Sequence, residues 1–165
     1  MRQLLFIRHA KSLHDAYVAA DSERHLAPRG YVDAEDSAQW CKQRSYTPDL
    51  MISSPAIRAF STALIFANRC GYPSDAIKLV TSIYEADSRK LLYVIREIDD
   101  RYQRVMIFGH NPGFSDIVNT LCGPVITHLP TAGVAVINPG VESWSEITPS
   151  RAKLIGVYSG HKDIG

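Results

Sequence analysis

Three short polar clusters stand where apolar runs stop. They are Arg8-His9, then Ser53-Ser54-Pro55 with Arg58 just beyond, then Gly109-His110-Asn111-Pro112. These residue types suit one chemistry. Arginine stays charged at physiological pH and offers a planar fork of donors that can grip two phosphate oxygens. A neutral histidine can attack phosphorus and form a covalent intermediate that water resolves. A second histidine, if protonated, adds a donor and a charge against the equatorial oxygens of a phosphoryl group in transfer. Helices opening after Ser54 and Asn111 would aim free N–H groups at the same anion. Composition and spacing alone define an anion site; they do not separate a nucleophile from a binding residue.

For these clusters to meet, the fold must join segments over one hundred residues apart. An α/β fold does this. Short apolar runs at Gln3–Ile7, Leu50–Ser53, Ile77–Ile83, Val105–Gly109, Gly133–Ile137 and Lys153–Tyr158 read as strands. Between them, apolar residues recur at helical spacing: Tyr31, Ala34, Ala38 and Cys41; Phe60, Ala63, Leu64 and Ala67; Leu91, Leu92, Ile95 and Ile98; Phe114, Ile117, Val118 and Leu121. These stripes are core packing. Ser54-Pro55 and Asn111-Pro112 each place a capping side chain before a proline at an expected first helical position. The expectation is a three-layer α/β/α fold with a mostly parallel central sheet. In such a sheet the carboxyl ends lie along one edge, where ligands bind. The polar, aperiodic segment Lys11–Leu26 reads as a surface loop beside the first strand, and the tail after Ser159 as mobile.

A chain of 165 residues with 45% apolar content is expected to make one domain, 1–165, with a real core. A net charge of +1 argues against wholesale nucleic-acid binding. No apolar run approaches the roughly 20 residues of a membrane span, and the stretch from Met1 to His9 is too short for a signal peptide. Cys41, Cys70 and Cys122 are scattered and odd in number, which argues against a disulfide framework and fits a reducing compartment, the cytoplasm. The glycine-rich phosphate loops, the G-x-S-x-G elbow and the Cys-x₅-Arg loop are all absent. No two histidines stand four apart and no C-x-x-C occurs, so a zinc site has no local support.

Taken in order, Arg8-His9-Ala10-Lys11-Ser12, Ser53-Ser54-Pro55-Ala56-Ile57-Arg58-Ala59 and Gly109-His110-Asn111-Pro112 resemble the histidine phosphatase superfamily, with its phosphoglycerate mutase-like fold. The short chain looks most like the SixA-type phosphohistidine phosphatase branch, and the likeness runs from Met1 to about Tyr158. The resemblance implies that His9 is the nucleophile and that Arg8, Arg58 and His110 complete the phosphate pocket. Ser12 matches a serine or threonine that can help to hold phosphate, though a loop or capping role explains it equally well. The family works without metal or organic cofactor. Two departures stand out. Ala10 replaces the glycine of many members, and the proton donor for the leaving group matches only loosely, with Glu85 in Ile83-Tyr84-Glu85-Ala86-Asp87 as the best candidate.

The chain is too short for the large lid subdomain of mutases and bisphosphatases. An open, shallow pocket suits a phosphorylated side chain presented on another protein. A protonated imidazole leaves more readily than an alkoxide, so phosphohistidine tolerates a weak acid catalyst better than a sugar phosphate does. The function implied is hydrolysis of phosphohistidine on a phosphoprotein through phospho-His9. Two alternatives use the same pocket: a small-molecule phosphate-ester phosphatase with Glu85 as general acid, and a non-catalytic phosphate-recognition module.

Overall fold

The computed structural model describes residues 1–14, 18, 20–160 and 162–163. Among the described residues there are seven strands: β1 (Gln3–Arg8), β2 (Leu50–Ser53), β3 (Lys78–Leu79), β4 (Arg104–Gly109), β5 (Val134–Asn138), β6 (Lys153–Ser159) and β7 (Lys162–Asp163). Four α-helices accompany them among the described residues: α1 (Pro28–Gln43), α2 (Ile57–Cys70), α3 (Ser88–Arg96) and α4 (Gly113–Cys122). The strands form one mixed sheet in the order β3-β2-β4-β1-β5-β6-β7. The four strands from β3 to β1 run parallel, and β5, β6 and β7 continue the sheet by antiparallel pairing.

Strands β1, β2 and β4 are largely buried on both faces because helices cover both. Along β1, Leu4 and Phe6 pack with side chains of α3 and α4, whereas Leu5 and Ile7 pack with those of α1 and α2. This gives the three layers. Right-handed crossovers explain which helix lies where. The chain steps from β1 across to β2 and β3 in one direction, leaving α1 and α2 on one face. It then reverses to reach β4, which puts α3 on the other. The reversal makes β1 and β4 neighbours and opens a crevice at their carboxyl ends.

Helix α4 shows the packing most clearly. Phe114, Ile117, Val118 and Leu121 are all essentially buried, each worth roughly 1.5–3 kcal/mol of transferred apolar surface. On α1, Ala34, Ala38 and Cys41 are buried but Tyr31 is half exposed. On α3, the stripe outruns the helix: Ile98 lies beyond Arg96 yet is buried. No helix among the described residues is long and apolar enough to cross a membrane.

Several local expectations need correction. The run Ile77–Ile83 is not one strand. Only Lys78 and Leu79 pair with β2, and Thr81–Ile83 wind into a 3₁₀ turn that buries Ile83. Ser54-Pro55 does not open α2: the helix starts at Ile57 after Ala56, with no side-chain cap. Pro112 precedes the first residue of α4 and follows a cis peptide bond, but Asn111 does cap, its Oδ1 accepting the Ser115 N–H at 3.1 Å. In Lys11–Leu26, Ser12 bridges Leu26 and Asp21–Glu23 form a 3₁₀ turn; residues 15–17 and 19 lie outside the described residues. Within the tail expected to be mobile after Ser159, Lys162 and Asp163 pair with β6 as β7, and residues 161, 164 and 165 lie outside the described residues.

Candidate active site

Strand register builds the centre of the site. Arg8 stands opposite Gly109 in the β1–β4 pair, and the His9 N–H donates to the Gly109 carbonyl at 2.9 Å. The residues after the two strands therefore start side by side, and the rings of His9 and His110 lie 5.4 Å apart. Thr62 ties this turn to α2: its Oγ1 accepts the Ala10 N–H at 3.0 Å and donates to the Arg58 carbonyl at 2.8 Å.

The tautomer of His9 follows from its partner. Its Nδ1 lies 2.7 Å from the Ala10 carbonyl oxygen. A carbonyl only accepts, so Nδ1 carries the hydrogen and Nε2 keeps its lone pair. Burial lowers the His9 pKa to about 4; the Ala10 bond opposes the shift, and Arg58, Arg8 and Arg24 add to it. The imidazole is thus neutral at pH 7, the form that attacks phosphorus.

Both arginines are tethered at their outer nitrogens. Arg8 Nη1 donates to His128 Nε2 at 3.1 Å and to the Leu129 carbonyl at 3.2 Å. Arg58 Nη1 and Nη2 donate to the carbonyl and carboxylate of Asp21, each at 2.9 Å. Asp21 also accepts from Tyr84 Oη at 2.6 Å and Arg24 Nε at 2.9 Å. The Tyr84 hydroxyl, with Arg58 and Arg24, holds this carboxyl well below the usual carboxylate range although the site's partial burial opposes the shift. The tethers leave Arg8 Nε and Arg58 Nε buried with no hydrogen-bond partner among the described residues. An unpaired buried donor costs about 1–3 kcal/mol, which an incoming anion would recover.

His110 supplies a third such group. Its Nε2 lies 2.8 Å from Ser54 Oγ, while its buried Nδ1 has no partner among the described residues. Burial lowers the His110 pKa to about 3, with Arg58, His9 and Arg8 contributing and Asp21 opposing. His110 therefore acts as a neutral donor in the unliganded site. When Ser54 donates to Nε2, the hydrogen sits on Nδ1, ready for a phosphate oxygen.

Arg8, His9, Ser12, Arg24, Arg58 and His110 line one open hollow of about 300 Å³. Four of the expected pocket residues and Ser12 are thus brought together. The Ser12 hydroxyl is engaged by Arg24 Nη1 at 2.8 Å. Glu85 lies apart from His9: it lines an adjoining hollow of about 320 Å³ that shares Arg58 and His110. Asp21, Arg24, Tyr84, Thr62 and His128 were not singled out from the sequence; the Asp21-x-x-Arg24 spacing was the one visible signal. A larger hollow of about 430 Å³ beside α3, lined by Ile52, Val80, Tyr93 and Ile98, holds none of these groups. Size alone does not mark the chemistry. Among the described residues no three His, Cys, Asp or Glu side chains cluster as metal ligands.

Comparison with known proteins bears on the family and the fold. The sequence model of the histidine phosphatase superfamily (branch 1) matches residues 4–85. A crystal structure of SixA from Agrobacterium tumefaciens, described as a candidate phosphohistidine phosphatase, is 27% identical with a TM-score of 0.79, covering 96% of this chain and 97% of that one. The protein histidine phosphatase SixA complexed with tungstate shares the fold at 20% identity and a TM-score of 0.81, covering 96% and 97%. A mycobacterial glucosyl-3-phosphoglycerate phosphatase also shares it, at 14% identity and a TM-score of 0.74, covering 94% and 98%.

Proposed function

We propose that this chain, which belongs to the histidine phosphatase superfamily, hydrolyses phosphohistidine on a phosphoprotein through a covalent phospho-His9 intermediate. The observation that carries this reading is the pairing of a neutral His9, its Nε2 lone pair free, with two arginines whose buried Nε–H groups await an acceptor. Phosphate in the hollow would take donors from Arg8, Arg58 and His110. His9 Nε2 attacks phosphorus as the bond from phosphorus to the substrate imidazole breaks, and that imidazole, already protonated at its other ring nitrogen, leaves as the neutral ring. Water then attacks phospho-His9, gives up a proton and releases inorganic phosphate, restoring His9. Preorganised donors supply most of the stabilisation.

The openness of the hollow among the described residues supports a protein-borne substrate, as does the likeness to SixA proteins. The reading calls for no metal or cofactor, treats residues 1–165 as one domain, and places the chain in the cytoplasm, where its three free cysteines stay reduced. Ser12 supports the phosphate loop through Arg24 in this scheme. The test is release of inorganic phosphate from a phosphohistidine protein with chelator present. Release that His9→Ala abolishes supports the reading; release that survives His9→Ala sinks it.

A second reading, an ester phosphatase with Glu85 as general acid, is favoured by the opening of the Glu85 hollow onto Arg58 and His110. It predicts turnover of a simple phosphate ester at a rate matching phosphohistidine. A non-catalytic phosphate-binding module is disfavoured by the neutral, lone-pair-bearing His9.

A further inference from the structure

The two pocket arginines are held at their outer nitrogens by groups of different charge. Arg58 is gripped by the Asp21 carboxylate, 2.9 Å from Nη2. Arg8 makes no ion pair among the described residues. Its Nη1 spends its hydrogens on two neutral acceptors, His128 Nε2 at 3.1 Å and the Leu129 carbonyl at 3.2 Å.

Those acceptors stand on one turn, residues 128–133, and only one of them is explained by the fold. Leu129 is fully buried, its N–H donates to Ser115 Oγ at 2.9 Å, and its carbonyl accepts Asn111 Nδ2 at 2.7 Å. Farther along, the Ala132 N–H donates to the Arg8 and His9 carbonyls, each at 3.1 Å. Core packing and these bonds fasten the turn to the start of α4 and to the end of β1. His128 is not one of the fastenings. Its side chain is exposed, so burial does not account for it.

A guanidinium only donates, so Nε2 accepts through its lone pair and the neutral ring carries its hydrogen on Nδ1. Asn111 Nδ2 stands farther off, 3.4 Å from Nδ1, and is already committed to Leu129. The guanidinium is a rigid plane. A single acceptor on Nη1 would let that plane pivot. Two acceptors fix it, and with it the direction of Nε–H, the buried donor that has no partner among the described residues. A neutral acceptor does this without cancelling the positive charge that phosphate needs, as a carboxylate in its place would.

We propose that His128 is a positioning residue: it aims Arg8 at the phosphate from outside the hollow, which it does not line. This role presupposes the phosphate pocket of the reading above.

The test is calorimetric binding of inorganic phosphate to the whole protein at about pH 8, where an ordinary histidine is neutral. His128→Phe keeps a ring and removes the acceptor. Its phosphate Kd should rise about three- to tenfold, the effect of one lost hydrogen bond. The Leu129 carbonyl keeps its half of the tether, which limits the loss. The melting temperature should hold, because the side chain is exposed. His128→Gln, whose amide oxygen is again a neutral acceptor, should recover most of the affinity. In an Arg8→Lys background, His128→Phe should change the phosphate Kd by less than about twofold, because no Nη1 remains to be held.

An unchanged Kd in His128→Phe overturns the proposal. So does a His128→Gln variant no better than His128→Phe, or a loss that persists undiminished in the Arg8→Lys background. Turnover of a phosphohistidine protein by the wild type reads the catalytic proposal separately. Silence there, with the phosphate affinities as expected, strikes the catalytic reading and leaves the role of His128 standing.

Discussion

Ser54 Oγ lies 2.8 Å from His110 Nε2, joining the end of β2 to the end of β4 across the parallel sheet. The same hydroxyl oxygen accepts the Ala56 N–H at 3.2 Å, which turns its own hydrogen toward the imidazole. Ser54→Ala removes the group that fixes the His110 tautomer and leaves a buried nitrogen unpaired. A loss of about tenfold in kcat/KM is expected, on the order of 1.4 kcal/mol, with a nearly unchanged melting temperature. Unaltered kinetics would show that Ser54 does not orient His110.

Arg58 performs two tasks on different nitrogens, gripping Asp21 with both Nη atoms while Nε stays open. Lysine cannot do both. Arg58→Lys should therefore lose about as much turnover as Arg58→Ala, roughly a hundredfold or more, while circular dichroism shows the fold intact. Near-wild-type turnover in either variant contradicts the proposed pocket.

The two histidines set a pH dependence of stability. Their folded pKa values lie at about 4 and about 3, below the ordinary 6.5 of an unfolded histidine. Between those values the unfolded chain binds more protons, so stability falls as pH drops below about 6.5 and levels off only below about 3–4. Each unit of depression is worth at most about 1.4 kcal/mol per group. Thermal melts from pH 7.5 to 4 should show the decline, and His9→Gln should make it shallower. Because His9 stays largely neutral until the pH nears 4, the acid limb of kcat/KM for the free protein should fall near pH 4 rather than 6.5.

Tyr84→Phe deletes the 2.6 Å hydrogen bond to Asp21. The carboxyl pKa should rise toward its ordinary value, and the Arg58 tether should loosen. A three- to tenfold loss in kcat/KM is expected, about 0.7–1.4 kcal/mol. A titration of Asp21 followed by NMR checks the first effect and steady-state kinetics the second.

Glu85→Gln separates the two catalytic readings. Phosphohistidine turnover should change less than threefold, because a protonated imidazole leaves without help. Ester hydrolysis should fall tenfold or more if Glu85 serves there as the acid.

The parts of this molecule that were legible in the sequence are those governed by burial. Strand β1 reads as Leu4-Leu5-Phe6-Ile7 because helices cover both its faces, and the polar residues that follow such a strand mark the ligand edge. The stripe Phe114, Ile117, Val118, Leu121 was visible for the same reason. The segment Ile77–Ile83 misled because its apolar residues serve two purposes: Ile77 and Ile83 are buried, whereas Leu79 lies exposed on the sheet edge. Helix starts misled where prolines shape loops rather than first turns, as Pro55 does. Asp21, Arg24 and Tyr84 escaped notice because hydrogen bonds, not periodicity, hold them, and two of them fall in an aperiodic loop. The hydrophobic pattern carries no record of such contacts.

The register that sets Arg8 opposite Gly109 also sets a timetable. During synthesis His9 is made about a hundred residues before His110. Pairing β1 with β4 means closing a loop of about a hundred residues, an entropic cost that local contacts cannot defray beforehand. Arg8 and His9 therefore wait for Arg58 and for the second imidazole, His110. The hollow they share is complete only when β4, the last of the parallel strands, has docked.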